Sequence, residues 1–229
     1  MATQPIPEKY QALIDHGYQF NFSEYLSRGW QLFTQQAGLL IGFTLVYFAI
    51  MLVAGFIPFG GVVIGPPLIA GFYLFIAKTA KGQEVSFGDF FQGFSNIGPL
   101  ILVYFISTLL TLFGFVFLII PGIYLAVSYM LAIQFVVHDN MDFWPAMETS
   151  RQLIGKNWFA FLGLALFFFL IIMAGMFMLF VGILAAMPLI YCISYAVYED
   201  LAGVEDDQLV AKIEEIGEDE EDIFSGIDD

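Results

Sequence analysis

Three long stretches of this chain carry no Asp, Glu, Lys or Arg: residues 29–77, 90–138 and 157–198. They are 49, 49 and 42 residues long. A helix crosses the hydrocarbon of a bilayer in about 20 apolar residues, so each stretch has the length of two crossings. Each also has turn punctuation near its middle: Pro58 with Gly60 and Gly61, Pro121 with Gly122, and Gly182. One unbroken buried helix per stretch is the competing reading, and the central Pro and Gly residues weigh against it. The expected spans cover residues 36–58, 61–79, 98–120, 121–138, 158–180 and 181–198. Strands of a membrane barrel alternate apolar and polar residues, and runs such as 162–172 do not. The expected fold class is therefore an all-α integral membrane protein, with six transmembrane helices in three hairpins.

Composition agrees. The chain has 229 residues, 59% of them hydrophobic and 13% charged, with a mean hydropathy of +0.81. Soluble domains carry about 25% charged residues. The formal charge of −15 is concentrated in residues 199–229, which hold fourteen acidic residues and one Lys. That acidic end argues against nucleic acid as a partner, because phosphates would repel it. The first twenty residues are polar and lack the basic start and early apolar stretch of a signal peptide. In a six-span topology all seven basic residues (Lys9, Arg28, Lys78, Lys81, Arg151, Lys156 and Lys212) fall on the side of the two termini. The positive-inside rule then places both termini in the cytoplasm.

Residues 22–82 and 143–203 align without a gap at an offset of 121. Gln31-Leu32 meets Gln152-Leu153, Pro67-Leu68-Ile69 meets Pro188-Leu189-Ile190, and Gly82 meets Gly203. Residues 87–140 form a weaker and shorter copy between them, in which Pro121-Gly122-Ile123-Tyr124 echoes Pro188-Leu189-Ile190-Tyr191. A shared ungapped register is the signature of an internal repeat. Residues 1–20 are then an N-terminal segment, 21–203 a membrane domain and 204–229 an acidic tail.

Each repeat opens on a short amphipathic segment. Asn21 and Glu24 are spaced as a capping box, as are Ser86 and Asp89. The third segment starts at Asp142, with Pro145 in its first turn. Phe22, Tyr25, Leu26 and Phe33 can share one helix face, and so can Phe87, Phe90, Phe91 and Phe94. These segments are expected to be elbow helices lying in the interface, or else extensions of the spans that follow.

The segment Pro121-Gly122-Ile123-Tyr124-Leu125-Ala126-Val127 is followed by His138-Asp139, Trp144, Ala146, Ser150-Arg151, Leu153 and Trp158. This pattern resembles the membrane domain that accompanies some bacterial glycerophosphoryl diester phosphodiesterases, and related uncharacterised six-helix inner-membrane proteins. It is clearest over residues 115–200. The resemblance implies a six-helix fold. It implies no activity, because in the phosphodiesterases hydrolysis belongs to a separate soluble barrel. The position after Val127, basic in many such proteins, is Ser128 here.

Few residues offer chemistry. His16 and His138 are the histidines and Cys192 the one cysteine. His138 stands beside Asp139 and Asp142, which suggests an interfacial His paired with a carboxylate; a metal or general-base role would need further groups. No catalytic, metal or cofactor site is expected. Ion-coupled transporters usually keep ionisable groups inside their spans, and these spans offer mainly hydroxyls and amides such as Thr44, Ser107, Ser128, Gln134 and Ser194. Those groups read as glue between helices, as do the small residues four apart at Gly38/Gly42, Gly61/Gly65, Gly182/Ala186 and Cys192/Ala196. Arg151, Lys156 and Trp158 form a candidate lipid-headgroup site. A local pair of Arg151 with Glu148 is the rival reading. In the acidic tail, Leu209, Ile213 and Ile216 fall on one helix face, with Ile223 and Phe224 beyond, as candidates for docking a cytoplasmic or membrane protein. The expected function is that of a non-enzymatic accessory, scaffold or assembly factor that binds lipid or other membrane proteins. A transporter or flippase-like protein for an amphiphile is the alternative.

Overall fold

A computed structural model of the protein describes residues 6–178 and 181–203. Its six spans are Ala37–Ala54, Gly60–Ala80, Ile97–Phe117, Ile119–His138, Trp158–Phe177 and Ile183–Ala202, called spans 1 to 6. Span 4 is broken into Ile119–Ser128 and Ala132–His138. Three elbow helices precede spans 1, 3 and 5: Phe22–Gln35, Phe87–Asn96 and Phe143–Lys156. An N-terminal helix, Glu8–His16, comes first. The fold class read from the charge-free stretches is the observed one, an α-helical membrane protein of three hairpins. The first hairpin turn is longer than expected, because span 1 stops at Ala54 and Phe59 takes a left-handed conformation (φ 61°) before Gly60.

Burial separates the spans into two rings. In spans 2, 4 and 6 the buried share of the most apolar stretch is 67%, 44% and 56%; in spans 1, 3 and 5 it is 22%, 17% and 22%. The second helix of every hairpin therefore faces the centre and the first faces outward. All three inner spans carry proline: Pro66 and Pro67 in span 2, Pro121 in span 4 and Pro188 in span 6. Pro66, Pro67 and Pro188 lie inside their helices and each removes a backbone hydrogen bond, which neighbouring helices in a bundle can compensate. Pro121 stands in the first turn of its helix, where no such bond is lost. The outer spans present Leu45, Leu52, Leu102, Phe105, Leu166 and Phe169 to their surroundings, as helices solvated by lipid do.

The repeat is visible in backbone detail. Each elbow ends at an amide residue in nearly the same non-helical conformation: Gln36 (φ −134°, ψ 29°), Asn96 (φ −130°, ψ 58°) and Asn157 (φ −127°, ψ 38°). Gln36 and Asn157 are related by the offset of 121. So are Gly82 and Gly203, both at φ 64°. Their N–H groups donate to the carbonyls of Thr79 and Asp200, again 121 apart. A left-handed glycine stops a helix without the penalty a Cβ would carry.

The elbows are separate helices, not extensions of the spans, and they are packed into the molecule more deeply than an interfacial position implies. Tyr25, Leu32 and Phe33 of the first are buried, as is Phe90 of the second; Phe22, Phe87, Phe91 and Phe94 remain partly exposed. The second elbow is a 3-10 helix. It has the expected capping box, with the Asp89 carboxylate accepting from the backbone N–H of Ser86 at 2.7 Å. The first has none: Asn21 makes no side-chain cap.

Elbow packing closes the chain into a ring. The second elbow lies on span 2 and the third on span 4, each against the inner span of the hairpin before it. The first has no preceding hairpin and lies on span 6, the last. A small residue sits at each crossing. Gly29 faces Ile193. Gly93 lies against the carbonyl of Pro67. The Ser150 hydroxyl donates to the Ser128 carbonyl at 2.7 Å. Ser128 is fully buried, so a basic side chain there would be enclosed by the bundle.

Candidate functional site

Charged residues at the basic end of the bundle pair across elements. Arg28 on the first elbow grips Glu199 on span 6 through both carboxylate oxygens, Nε to Oε2 at 2.9 Å and Nη2 to Oε1 at 3.0 Å. Beside it the Tyr25 hydroxyl donates to Asp200 at 2.5 Å. Lys78, at the end of span 2, meets Asp89 of the second elbow at 2.7 Å. Lys78 and Glu199 are repeat-equivalent positions, 121 apart. Each ties an inner span to an elbow, with the sign of the charge reversed.

Asp139, at the end of span 4, collects three partners: Lys9 at 3.0 Å, the Tyr10 hydroxyl at 2.8 Å and the Tyr198 hydroxyl at 2.9 Å. Tyr10 is fully buried, edge-on to Phe135. Burial first, then Tyr198 and Asp139, push its phenol far above the usual range, so it remains a donor. The N-terminal helix is thereby fixed over the inner ends of spans 4 and 6. The sequence suggested a pairing of His138 with a neighbouring carboxylate. The His138 ring packs against Tyr198, with centroids 4.8 Å apart, and the Asp139 carboxylate goes to Lys9 and the two tyrosines. Among the described residues no group of three His, Cys, Asp or Glu could hold a metal ion.

Of the three expected headgroup residues, Arg151 and Trp158 share Tyr124 as a neighbour at the third elbow. Arg151 makes two bonds to Glu148, at 2.9 and 2.5 Å. That bond is the main cause holding the Glu148 carboxyl below its usual range and raising the Arg151 guanidinium. The Tyr124 hydroxyl of span 4 adds to the effect on Arg151. The Trp158 ring stacks on Tyr124 at 5.9 Å, and Lys156 is exposed. The local pair with Glu148 is thus formed. Leu209, Ile213, Ile216, Ile223 and Phe224 lie outside the described residues.

Arg28 entered the sequence reading only through its charge and the positive-inside rule, and Glu199 and Asp200 only as acidic residues of the C-terminal stretch; together these residues line an opening at the first elbow. It is a cleft of about 750 Å³ between the first elbow and span 6, bordered by Asn21, Ser23, Glu24, Ser27 and Gln31 as well. On the other side of the same elbow is an apolar groove of about 470 Å³. Trp30 and Phe33 form one wall, Ile171 and Ala174 of span 5 with Met178 just beyond its end another, and Ala185 and Leu189 of span 6 the floor.

These features define a multi-spanning helical membrane protein with aromatic and ionic contacts concentrated at its elbows. Over 91 residues the chain is 34% identical to a UPF0259 membrane protein of Yersinia pestis (strain Pestoides F). A UPF0259 membrane protein of Yersinia pseudotuberculosis (serotype O:1b, strain IP 31758) shows the same identity over the same length. The alignment covers 39% of this chain and 36% of each relative, so it spans about a third of the relatives' own length. No family model and no solved structure matches. Both relatives carry membrane-protein names without a stated activity. That agrees with the part of the resemblance that concerns uncharacterised membrane proteins; the phosphodiesterase part gains nothing from them.

Proposed function

We propose that this protein is a non-enzymatic component of a bacterial inner membrane, with both termini in the cytoplasm, that holds lipid and neighbouring membrane proteins as an accessory or scaffold. The observation that carries this reading is how its polar groups are used. Thr44 and Ser107 donate to backbone carbonyls of their own helices, those of Leu40 and Val103. Gln134 of span 4 donates to the Ser194 hydroxyl and carbonyl of span 6, at 2.9 and 3.0 Å. Of these, only the Gln134–Ser194 contact joins two spans; Thr44 and Ser107, expected from the sequence to act between helices, are satisfied within their own. An amphiphile transporter would need such groups along an open polar path. The larger openings lie at the rim, next to the first elbow, where lipid and partner proteins arrive. Arg151, Lys156 and Trp158 supply a second headgroup contact, and the acidic tail, through Leu209, Ile213, Ile216, Ile223 and Phe224, a contact for a cytoplasmic protein.

The test is purification of the full-length protein in mild detergent, with mass spectrometry of what accompanies it. Stoichiometric phospholipid, with or without a specific membrane protein, is the expected result. A protein recovered free of both, and which moves a labelled amphiphile across vesicles, would replace the scaffold reading with the transport one.

A further inference from the structure

The first elbow has a cavity on each side, and the two are opposite in character. The cleft at the basic end is polar, lined by Asn21, Ser23, Glu24, Arg28, Glu199 and Asp200. The groove beyond Trp30 is apolar. Ser27 and Trp30, one helical turn apart and both exposed, stand between them. A molecule that fills both must be polar at one end and apolar at the other, and at the edge of a bilayer that is a phospholipid.

Charge selects the headgroup. Three carboxylates border the cleft with one guanidinium, and Glu199 holds that guanidinium through both oxygens. The field in the cleft therefore favours a cation and disfavours a headgroup with net negative charge. A primary ammonium can also donate three hydrogen bonds to carboxylates; a trimethylammonium has no N–H to give. Ser23, Ser27 and Asn21 line the same cleft and offer hydroxyl and amide donors to a phosphate adjoining such an ammonium. The first-turn N–H groups of the elbow contribute as well, since Asn21 does not cap them.

Internal symmetry shows that this is a local feature. At the offset of 121 the third elbow has Pro145 in place of Glu24 and Thr149 in place of Arg28. The N-terminal helix packs on that elbow, and the Tyr18 hydroxyl that follows it donates to the Leu153 carbonyl at 2.9 Å. We infer that the seam where the first elbow meets span 6 is a binding site for a phospholipid with a primary-amine headgroup, its ammonium among Glu24 and Asp200 and one acyl chain in the groove floored by Ala185 and Leu189. This site rests on the lipid-holding reading and specifies its ligand.

The experiment reconstitutes full-length protein into nanodiscs holding equal amounts of phosphatidylethanolamine, phosphatidylcholine and phosphatidylglycerol. The protein is re-extracted in mild detergent and the retained lipid quantified by mass spectrometry. Phosphatidylethanolamine should exceed phosphatidylcholine by about tenfold, the ratio expected of one charge-assisted hydrogen bond. Glu24→Lys reverses an exposed charge, and Ala185→Leu fills the groove. Each should bring the ratio near one without lowering the melting temperature. Equal retention of the two lipids, a preference for phosphatidylglycerol, or a preference that survives in either variant overturns the seam site and leaves the lipid-holding reading standing. Loss of all phospholipid from the wild-type protein overturns both.

Discussion

A methyl group added at Gly29 would stand 2.5 Å from Cγ1 of Ile193 and 2.6 Å from its Cα. The second of those atoms is backbone and cannot swing away. Gly29→Ala should therefore push the first elbow off span 6 and cost about 1–3 kcal/mol, the usual penalty for overpacking, read as a lower unfolding midpoint in detergent. Gly38→Ala is the control. Nothing lies within 4 Å of the added carbon there, so the helix propensity of alanine should leave stability equal or up to about 1 kcal/mol higher. The sequence marked Gly38 and Gly42, four apart, as a packing pair, and neither has a neighbour at that distance. Gly29, Gly71 and Gly93 make close approaches that the spacing did not mark, and Gly182, which it did mark, closes on Gly175. Spacing along one helix reveals a small-residue stripe but not which face meets a partner, because in lipid no hydrophobic pattern separates the packed side from the solvated one. The Glu148–Arg151 pair allows a prediction with a definite sign. Arg151 holds the Glu148 carboxyl below its usual range, so the pair's contribution is complete above the ordinary carboxyl range and fades as pH falls through the lowered value. Both side chains are about a third exposed, so the loss should stay below about 1 kcal/mol. Glu148→Gln should flatten the acid side of a melting-temperature profile and leave neutral pH almost unchanged. An identical acid slope in the variant would show that other carboxylates set it.

At the scale of elements, the contact between the first elbow and span 6 is the one the chain's order could least reveal. Arg28 is 171 positions from Glu199 and Tyr25 is 175 from Asp200. No local pattern announces pairs that distant. The second elbow was easier to read: Ser86 and Asp89 are three residues apart, and they form the expected box. The helices and the turns between them were legible too, because hydropathy and Pro or Gly act locally; the break at 129–131 inside span 4 was not, since neither Pro nor Gly marks it. What stayed hidden was the 3-10 form of the second elbow, the depth to which the elbows pack, and the docking of the N-terminal helix through Tyr10. The Glu199 side chain is 7% exposed, which makes the Arg28 contact costly to break. Arg28→Ala leaves that carboxylate enclosed without its cation and should destabilise by about 3–5 kcal/mol. The double variant Arg28→Glu, Glu199→Arg should recover part of the loss. If the swap is no better than the single variant, the carboxylate draws its support from elsewhere in the cleft.

For the whole molecule, the charge-free stretches determined three hairpins and six crossings; the two rings were not legible, because both helices of a hairpin are equally free of charge. Topology in the membrane is the largest claim that follows. Reporter fusions after Pro58, Leu118 and Val181 should all report the face opposite the basic residues, and a fusion after Gly203 the same face as the N-terminus. A single outer turn reporting with the termini would contradict the three-hairpin arrangement. Truncation after Gly203 should leave insertion and melting temperature intact, since the left-handed glycine at that position already completes the last helix. The closed ring also has a bearing on biogenesis. The first elbow leaves the ribosome roughly 160 residues before span 6, and at about 5–20 residues per second that is an interval of roughly 10–30 s. During it Tyr25 and Leu32 have no helix to cover them, and Arg28 has no carboxylate from span 6. The earliest part of the membrane domain is thus finished by the latest, and a chain arrested before its final hairpin carries an unmatched amphipathic helix, open to the chaperones and proteases that recognise incomplete membrane proteins.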